Sequence, residues 1–204
     1  MPAPIDPFHA IAIGQLAHQL AAEGRSVIHM EYGQPSTGAP AAAIAAAHRV
    51  LDADAMGYWE NPALKERIAQ LYGDEHGVSI APGQVILTCG ASPALVLALN
   101  TLFAPGDRVA LARPGYVAYR NVLKALHMRP VELECGAAER YQITAAALAA
   151  LDPAPAGLII ASPANPTGTI IAPAEMAAIA KLCRARGIRL ISDGDLSAGF
   201  AAAV

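Results

Sequence analysis

Charge is scarce in this chain. Asp, Glu, Lys and Arg make up 15% of its 204 residues, and the net charge is −3, where a typical soluble domain is about one quarter charged. A slightly acidic chain without a basic stripe is a poor nucleic-acid binder. Cysteine is scarce too: Cys89, Cys135 and Cys183 are odd in number, far apart and outside metal-ligand spacing. They read as free thiols of a reducing cytoplasm. The six histidines are scattered, and no two sit at the i, i+4 spacing that seats a metal on a helix. No metal site is expected. No apolar run approaches the roughly 18 residues that a membrane span needs. The start, Met1-Pro2-Ala3-Pro4-Ile5-Asp6, lacks a basic region followed by an apolar stretch, so no signal peptide is expected there. Together these absences point to a cytoplasmic protein.

Alanine is what the chain has in excess. The hydrophobic fraction reaches 54%, with runs such as Ala41-Ala42-Ala43, Ala45-Ala46-Ala47 and Ala145-Ala146-Ala147. Alanine raises hydropathy without bulk and favours helix. The length suits one domain, or one and part of another, and suffices for a proper core.

The first part of the chain reads as helical and irregular. Ile11 to Glu23 carries apolar residues at helical spacing and stops at Gly24. Ala41 to Ala53 is a second helix, entered through the breakers of residues 33–38. Pro62 to Tyr72 is a third, with Asn61 as N-cap and proline at the first helical position. From Gln84 onward, short β-rich runs alternate with helices. Strands are expected at Val85–Thr88, Val109–Leu111, Pro130–Cys135, Leu158–Ile160 and Ile188–Ile191. Helices are expected at Ser92–Phe103, Tyr116–Leu126, Ala145–Leu151 and Ala174–Arg186, the last stopped by Gly187. That alternation predicts an α/β fold, a mostly parallel sheet with helices on both faces. Ligands of such sheets sit at the carboxyl ends of the strands, so the loops there carry the information.

After the first run, Gly90-Ala91-Ser92 opens directly into a helix. Small residues let backbone N–H groups approach an anion, the serine adds a donor, and a helix N-terminus favours negative charge. The same string also reads as an ordinary turn into a helix. It is neither a Walker loop nor a dinucleotide fingerprint, because both glycine spacings are missing. After Leu158–Ile160 comes Ser162-Pro163-Ala164-Asn165-Pro166-Thr167-Gly168. Its prolines stiffen the loop and make Asn165–Pro166 a candidate cis peptide.

This last string resembles the Asn-Pro-Thr-Gly signature of class I/II aminotransferases, pyridoxal-phosphate enzymes of fold type I. The resemblance extends along most of the chain in the family's order. Gly33-Gln34-Pro35 is similar to the segment near the substrate carboxylate, which makes Gly33 a candidate substrate-binding residue. Gly57-Tyr58-Trp59-Glu60-Asn61-Pro62 is similar to the stretch whose tyrosine, here Tyr58, reaches the cofactor phosphate of a partner subunit. Gly90, Ala91 and Ser92 match the phosphate loop, and Pro105-Gly106-Asp107-Arg108-Val109 matches the turn before the next strand. Pro114-Gly115-Tyr116 matches the loop whose ring, here Tyr116, stacks on the pyridine. Asn165 would donate to the cofactor's 3′ oxygen, and Asp193 would pair with the ring nitrogen.

These roles fit one chemistry. Pyridoxal 5′-phosphate works as an electron sink when its ring nitrogen is protonated, and a carboxylate there keeps it so. Taken singly, Tyr58 and Tyr116 read as half-buried packing tyrosines, and Asp193 as a turn residue or helix cap. Trp59 and the histidines read as structural.

The resemblance implies two blocks: 1–50, an N-terminal arm with part of a small domain, and 51–204, an incomplete cofactor-binding large domain. It stops after Asp193. Where the family continues Glu-(Ile/Val)-Tyr, this chain has Gly194-Asp195-Leu196-Ser197, so Leu196 stands where the tyrosine that touches the 3′ oxygen belongs. No Lys or Arg follows Arg189. The Schiff-base lysine of the family has no counterpart, nor have the arginines for the phosphate and the substrate carboxylate. Lys181 lies on a helix before the last strand and reads as a solvated surface charge. Without that lysine there is no positioned base for a 1,3-proton shift, and the chain alone is expected not to transaminate. A one-base frameshift after Asp193 is compatible with the break. Gly194-Asp195-Leu196-Ser197 can be written GGA GAT CTA TCN, and removing the first G leaves GAG ATC TAT, the family's Glu-Ile-Tyr. Residues 198–204 would then be an out-of-frame tail.

The function expected is amino transfer between an amino acid and a 2-oxo acid, in a family that works as a homodimer. The alternatives are an inactive remnant with weak noncovalent cofactor binding, or a fragment of a carbon–sulfur lyase or decarboxylase on the same fold. The substrate side chain is not legible. A plain nucleotide-binding domain is the weakest reading, since no glycine fingerprint supports it.

Overall fold

The computed structural model describes residues 8–31, 33 and 37–194. The chain divides into two compact units, one within Pro7–Asn61 and one from Pro62 onward. The first contains helices α1 (His9–Ala22) and α2 (Ala41–Ala53). Both lie where alanine-rich helical spacing predicts them, and Gly24 follows α1 in a left-handed conformation. α2 buries none of its residues, and α1 buries only Gly14 and Ala17. Intrinsic propensity is therefore the main support visible for α2.

The second unit begins with α3 (Pro62–His76), one turn longer than the spacing predicts. That extra turn carries His76, whose ring packs edge-on against Tyr72 at 5.7 Å. After a short 3-10 turn at Pro82–Gln84 comes α4 (Ala91–Leu102). The β-rich run Val85–Thr88 between them is not a strand: it takes no part in the sheet formed among the described residues. Only Val85 is buried, while Ile86 and Leu87 are exposed. A β-favouring composition supplies extended backbone, but a strand also needs a neighbour with which to share a ladder.

The remaining elements alternate: β1 (Arg108–Arg113), α5 (Val117–Ala125), β2 (Arg129–Glu134), α6 (Ala145–Ala149), β3 (Gly157–Ala161), α7 (Pro173–Arg186) and β4 (Arg189–Asp193). All four strands are parallel, in the order β2-β1-β3-β4. Successive side chains of a strand face opposite sides of the sheet, and the core divides accordingly. Val109, Leu111 and Ile159 pack with Leu99 of α4 and Leu123 of α5 on one face. Ala110, Leu158 and Ile160 pack with Leu148 of α6 and Ile179 of α7 on the other. Helices thus cover both faces, as predicted. Each fully buried Leu or Ile contributes roughly 1.5–3 kcal/mol of transfer free energy.

Local devices fix the ends of these helices. Thr144 caps α6 by accepting from Ala147 N at 3.1 Å, and Glu175 in the first turn of α7 accepts from Ala145 N at 2.6 Å. Gly187 closes α7 in the left-handed conformation. Cys135 and Cys183 are buried free thiols, which burial makes less acidic, and Cys89 is exposed.

Candidate active site

The strand order reverses direction between β1 and β3. From β1 the chain crosses to β2 on one side, and from β3 it crosses to β4 on the other. Loops that leave such a pair diverge and open a crevice at the carboxyl ends of the strands. A cleft lies there, lined by Pro114, Gly115 and Tyr116 after β1, by Ala164 and Asn165 after β3, and by Gln142. Its enclosed space is about 20 Å³, enough for about one water molecule. A ring-sized group does not fit inside it.

The loop after β3 is held by buried polar groups. Ser162 is buried and accepts from Ile171 N at 3.1 Å. Buried Gln142 donates to Thr169 O at 2.7 Å and to Ala161 O at 3.4 Å, tying the two ends of the loop together. Ala164 N donates to Thr169 O at 2.9 Å and Gly168 N to Ala164 O at 2.7 Å. The Asn165–Pro166 peptide is cis, as the paired prolines suggested. These bonds leave the Asn165 side chain exposed at the cleft.

Asp193 is the last residue of β4 and lies opposite Ala161 in the β3–β4 register. Its parity is that of Ile191, which packs with the α5 side of the core. There the Tyr119 hydroxyl donates to Asp193 Oδ2 at 2.5 Å. Burial is the main reason that the Tyr119 phenol is pushed far above its ordinary range, with the Asp193 carboxylate adding to it. A phenol that keeps its proton remains a donor. The rings of Tyr119 and Tyr116 meet edge-on, 5.3 Å apart at 87°.

The sheet therefore brings three expected residues together: Tyr116 and Asn165 line the cleft, and Asp193 joins it through Tyr119. Gly90, Ala91 and Ser92 are not among the lining residues. They form the exposed start of α4, where Gly90 has φ +114 and no side chain caps the helix. A positive φ of that size is a conformation that L side chains rarely adopt. Gly33 and Tyr58 belong to the N-terminal unit. Tyr58 is fully exposed, so the packing role of a lone tyrosine does not hold for it, and Trp59 is exposed as well. Gln34, Pro35, Asp195, Leu196 and the tail from Ser197 lie outside the described residues. Lys181 is exposed on α7, as expected of a surface charge. Lys124 lies in the last turn of α5, a helix whose nine residues span roughly 13 Å from the Tyr116 end.

Sequence reasoning missed Tyr119, Gln142 and Ser162. Tyr119 had a signal: it follows Tyr116 by three residues, a spacing that puts two side chains on one helix face. Gln142 had none, since its partners lie 19 and 27 residues away.

The family profile "Aminotransferase class I and II" matches residues 25–195. The chain belongs to the class I and II aminotransferases. Over 192 residues it is 43% identical to a valine–pyruvate aminotransferase of Mycobacterium tuberculosis, covering 93% of this chain and 50% of that protein. It is 32% identical to an aspartate aminotransferase of Geobacillus stearothermophilus, covering 94% and 50%. The crystal structure of an aminotransferase from M. tuberculosis superposes with a TM-score of 0.90 at 43% identity, covering 93% of this chain and 50% of that one. Aspartate aminotransferase of Thermus thermophilus, solved with maleate, gives 0.87 at 27% identity, covering 93% and 51%. The chain spans about half the length of the relatives it matches.

The aminotransferase family uses pyridoxal phosphate, and the donor set of this site suits that group. A carboxylate, an amide and an aromatic ring converge on the switch point, and an uncapped helix N-terminus offers backbone N–H groups to an anion. Among the described residues no lysine lines the cleft. Among the described residues no three His, Cys, Asp or Glu side chains gather to hold a metal, and no helix is long and apolar enough to cross a membrane.

Proposed function

We propose that residues 51–204 form the cofactor-holding part of an aminotransferase that moves an amino group between an amino acid and a 2-oxo acid. In this reading Asp193 faces the ring nitrogen, Asn165 donates to the 3′ oxygen, Tyr116 stacks on the ring, and Gly90, Ala91 and Ser92 receive the phosphate. Gly33 and Tyr58 serve the substrate carboxylate and a neighbouring subunit's phosphate. When bound, pyridoxal phosphate supplies the electron sink that lets a substrate Cα–H bond break. The chain's own residues supply orientation and charge: an amide and a carboxylate hold two edges of the ring, and Tyr116 fixes its plane.

The observation that carries this reading is the convergence of Tyr116, Asn165 and the Tyr119-bound Asp193 at the reversal of strand order. These 204 residues hold the cofactor noncovalently and do not transaminate by themselves, because no lysine reaches the cleft. The valine–pyruvate relative makes valine and pyruvate the first substrates to assay.

The test is a titration of the chain with pyridoxal phosphate, followed by absorbance and tryptophan fluorescence, then borohydride reduction and peptide mapping. Saturable binding is expected, with at least about tenfold loss in Asn165→Ala or Asp193→Asn, the scale of a hydrogen bond to a charged group. No single-site lysine adduct should form. Failure of the wild-type chain to bind, or reduction onto one lysine, contradicts the reading.

A further inference from the structure

We propose that Tyr119 is a positioning residue for Asp193, its hydroxyl fixing the carboxylate so that Oδ1 is the oxygen presented to the cofactor's ring nitrogen. This inference rests on the reading of Asp193 as the ring-nitrogen partner and adds to it a residue that the motif comparison did not single out.

Asp193 stands at the carboxyl end of β4, where the ladder stops. The backbone holds its main chain, with Ser162 N donating to Asp193 O at 3.3 Å. The side chain needs a separate constraint, and Tyr119 provides one from 74 residues away. The 2.5 Å separation is at the short limit for O–H···O contacts and in the range for a hydroxyl donating to a charged oxygen. Tyr119 is 6% exposed and Asp193 is exposed at the strand end, so the bond between them is part-buried. The Tyr119 ring belongs to the buried cluster that includes Leu123 and Val109, and it meets the Tyr116 ring edge-on.

Geometry and charge act in one direction. The bond occupies Oδ2, which assigns Oδ1 to the ring nitrogen. A donated hydrogen bond also favours the charged form of a carboxylate, so in a shared proton pair it pushes the proton toward the pyridine. The same i, i+3 pair on α5 then sets two coordinates of one ring: Tyr116 its plane, and Tyr119 the partner of its nitrogen. A structural alternative is that Tyr119 merely satisfies its own buried hydroxyl.

The deciding experiment uses the full chain and pyridoxal phosphate labelled with nitrogen-15 in the ring. Dissociation constants and the ring-nitrogen shift are measured for wild type, Tyr119→Phe, Asp193→Asn and Asn165→Ala. Tyr119→Phe keeps the ring and removes only the hydroxyl. We expect it to bind about tenfold more weakly, the scale of one hydrogen bond to a charged group, with its nitrogen shift moved toward the unprotonated value. Asn165→Ala should weaken binding without moving that shift. If Tyr119→Phe matches wild type in shift and affinity, or loses only thermal stability, the positioning role is overturned while the assignment of Asp193 stands. If Asp193→Asn leaves the shift unchanged, or wild type does not bind, the assignment of Asp193 fails and the positioning role falls with it. Should Tyr119→Phe not fold, difluorotyrosine placed at position 119 keeps the shape and changes the acidity of the donor. An unchanged nitrogen shift there overturns the proposal, and a graded change supports it.

Discussion

Helices of the two units are supported differently, α3 excepted, which like α2 buries none of its residues. In the sheet unit, α4, α5, α6 and α7 each bury at least one large side chain or thiol against the strands, among them Leu99, Leu123, Leu148 and Ile179. In the N-terminal unit, α2 buries nothing, and Ile28, Met30 and Trp59 are largely exposed. The contrast separates two sources of helix formation. Alanine propensity suffices to write a helix of thirteen residues such as α2, but only packing gives a helix a fixed place. The chemistry-bearing residues of the cleft sit where the packed sheet ends: Asp193 closes β4, Asn165 lies in the loop after β3, and Tyr116 precedes α5.

The sharpest way to break this contrast is a cavity in the sheet. Ile159→Ala removes a side chain that is 1% exposed between β3 and the α4–α5 layer. It should lower the unfolding free energy by about 2–5 kcal/mol, read from urea denaturation. A loss below about 1 kcal/mol would mean that the core is not the load the sheet rests on. Next comes crowding. A Cβ at Gly157 would overlap the Phe103 ring, so Gly157→Ala should cost about 1–3 kcal/mol in the same measurement.

A third effect is confined to alkaline solution. The Tyr119 phenol keeps its proton beyond the ordinary tyrosine value of 10.0, because burial and then Asp193 oppose its ionisation. Above that value the unfolded chain binds fewer protons at Tyr119 than the folded chain. Stability must therefore fall as pH rises past the ordinary value toward the folded one. Tyr119→Phe should remove this part of the alkaline decline, and absorbance at 295 nm should lose its latest-ionising phase. Identical alkaline profiles for the two proteins would contradict the burial of that hydroxyl. The smallest effect is expected in the N-terminal unit: Leu51→Ala, at a position 63% exposed on α2, should stay within about 0.5 kcal/mol. A larger loss would show that α2 depends on packing after all and would erase the distinction.

Much of the fold was legible in the sequence, for physical reasons visible at particular residues. β-branched and leucine-rich runs such as Leu158–Ile160 are buried on both faces of a parallel sheet, so they stand out as continuous apolar stretches. Alanine spacing placed α2 at its observed bounds. Val85–Thr88 was misread because composition reports extended backbone and not the presence of a neighbouring strand. At the site, residues grouped in local motifs, such as Asn165 in its proline-bracketed loop, could be picked out. Gln142 could not, because its partners lie 19 and 27 residues away and meet it only in the folded chain; Ser162 bonds Ile171 within one loop, and Tyr119 is marked only by its spacing from Tyr116.

The β3–β4 ladder has a consequence beyond holding the sheet together. Because Ala161 lies opposite Asp193, the asparagine loop and the carboxylate are measured off from the same rung. A slip of one residue would turn Asp193 to the other face, away from Tyr119, while leaving every apolar residue of β4 still apolar. The five residues from Arg189 to Asp193 therefore work as a gauge block: substitutions along them, however far from the cleft, are felt as errors in where a single negative charge is delivered.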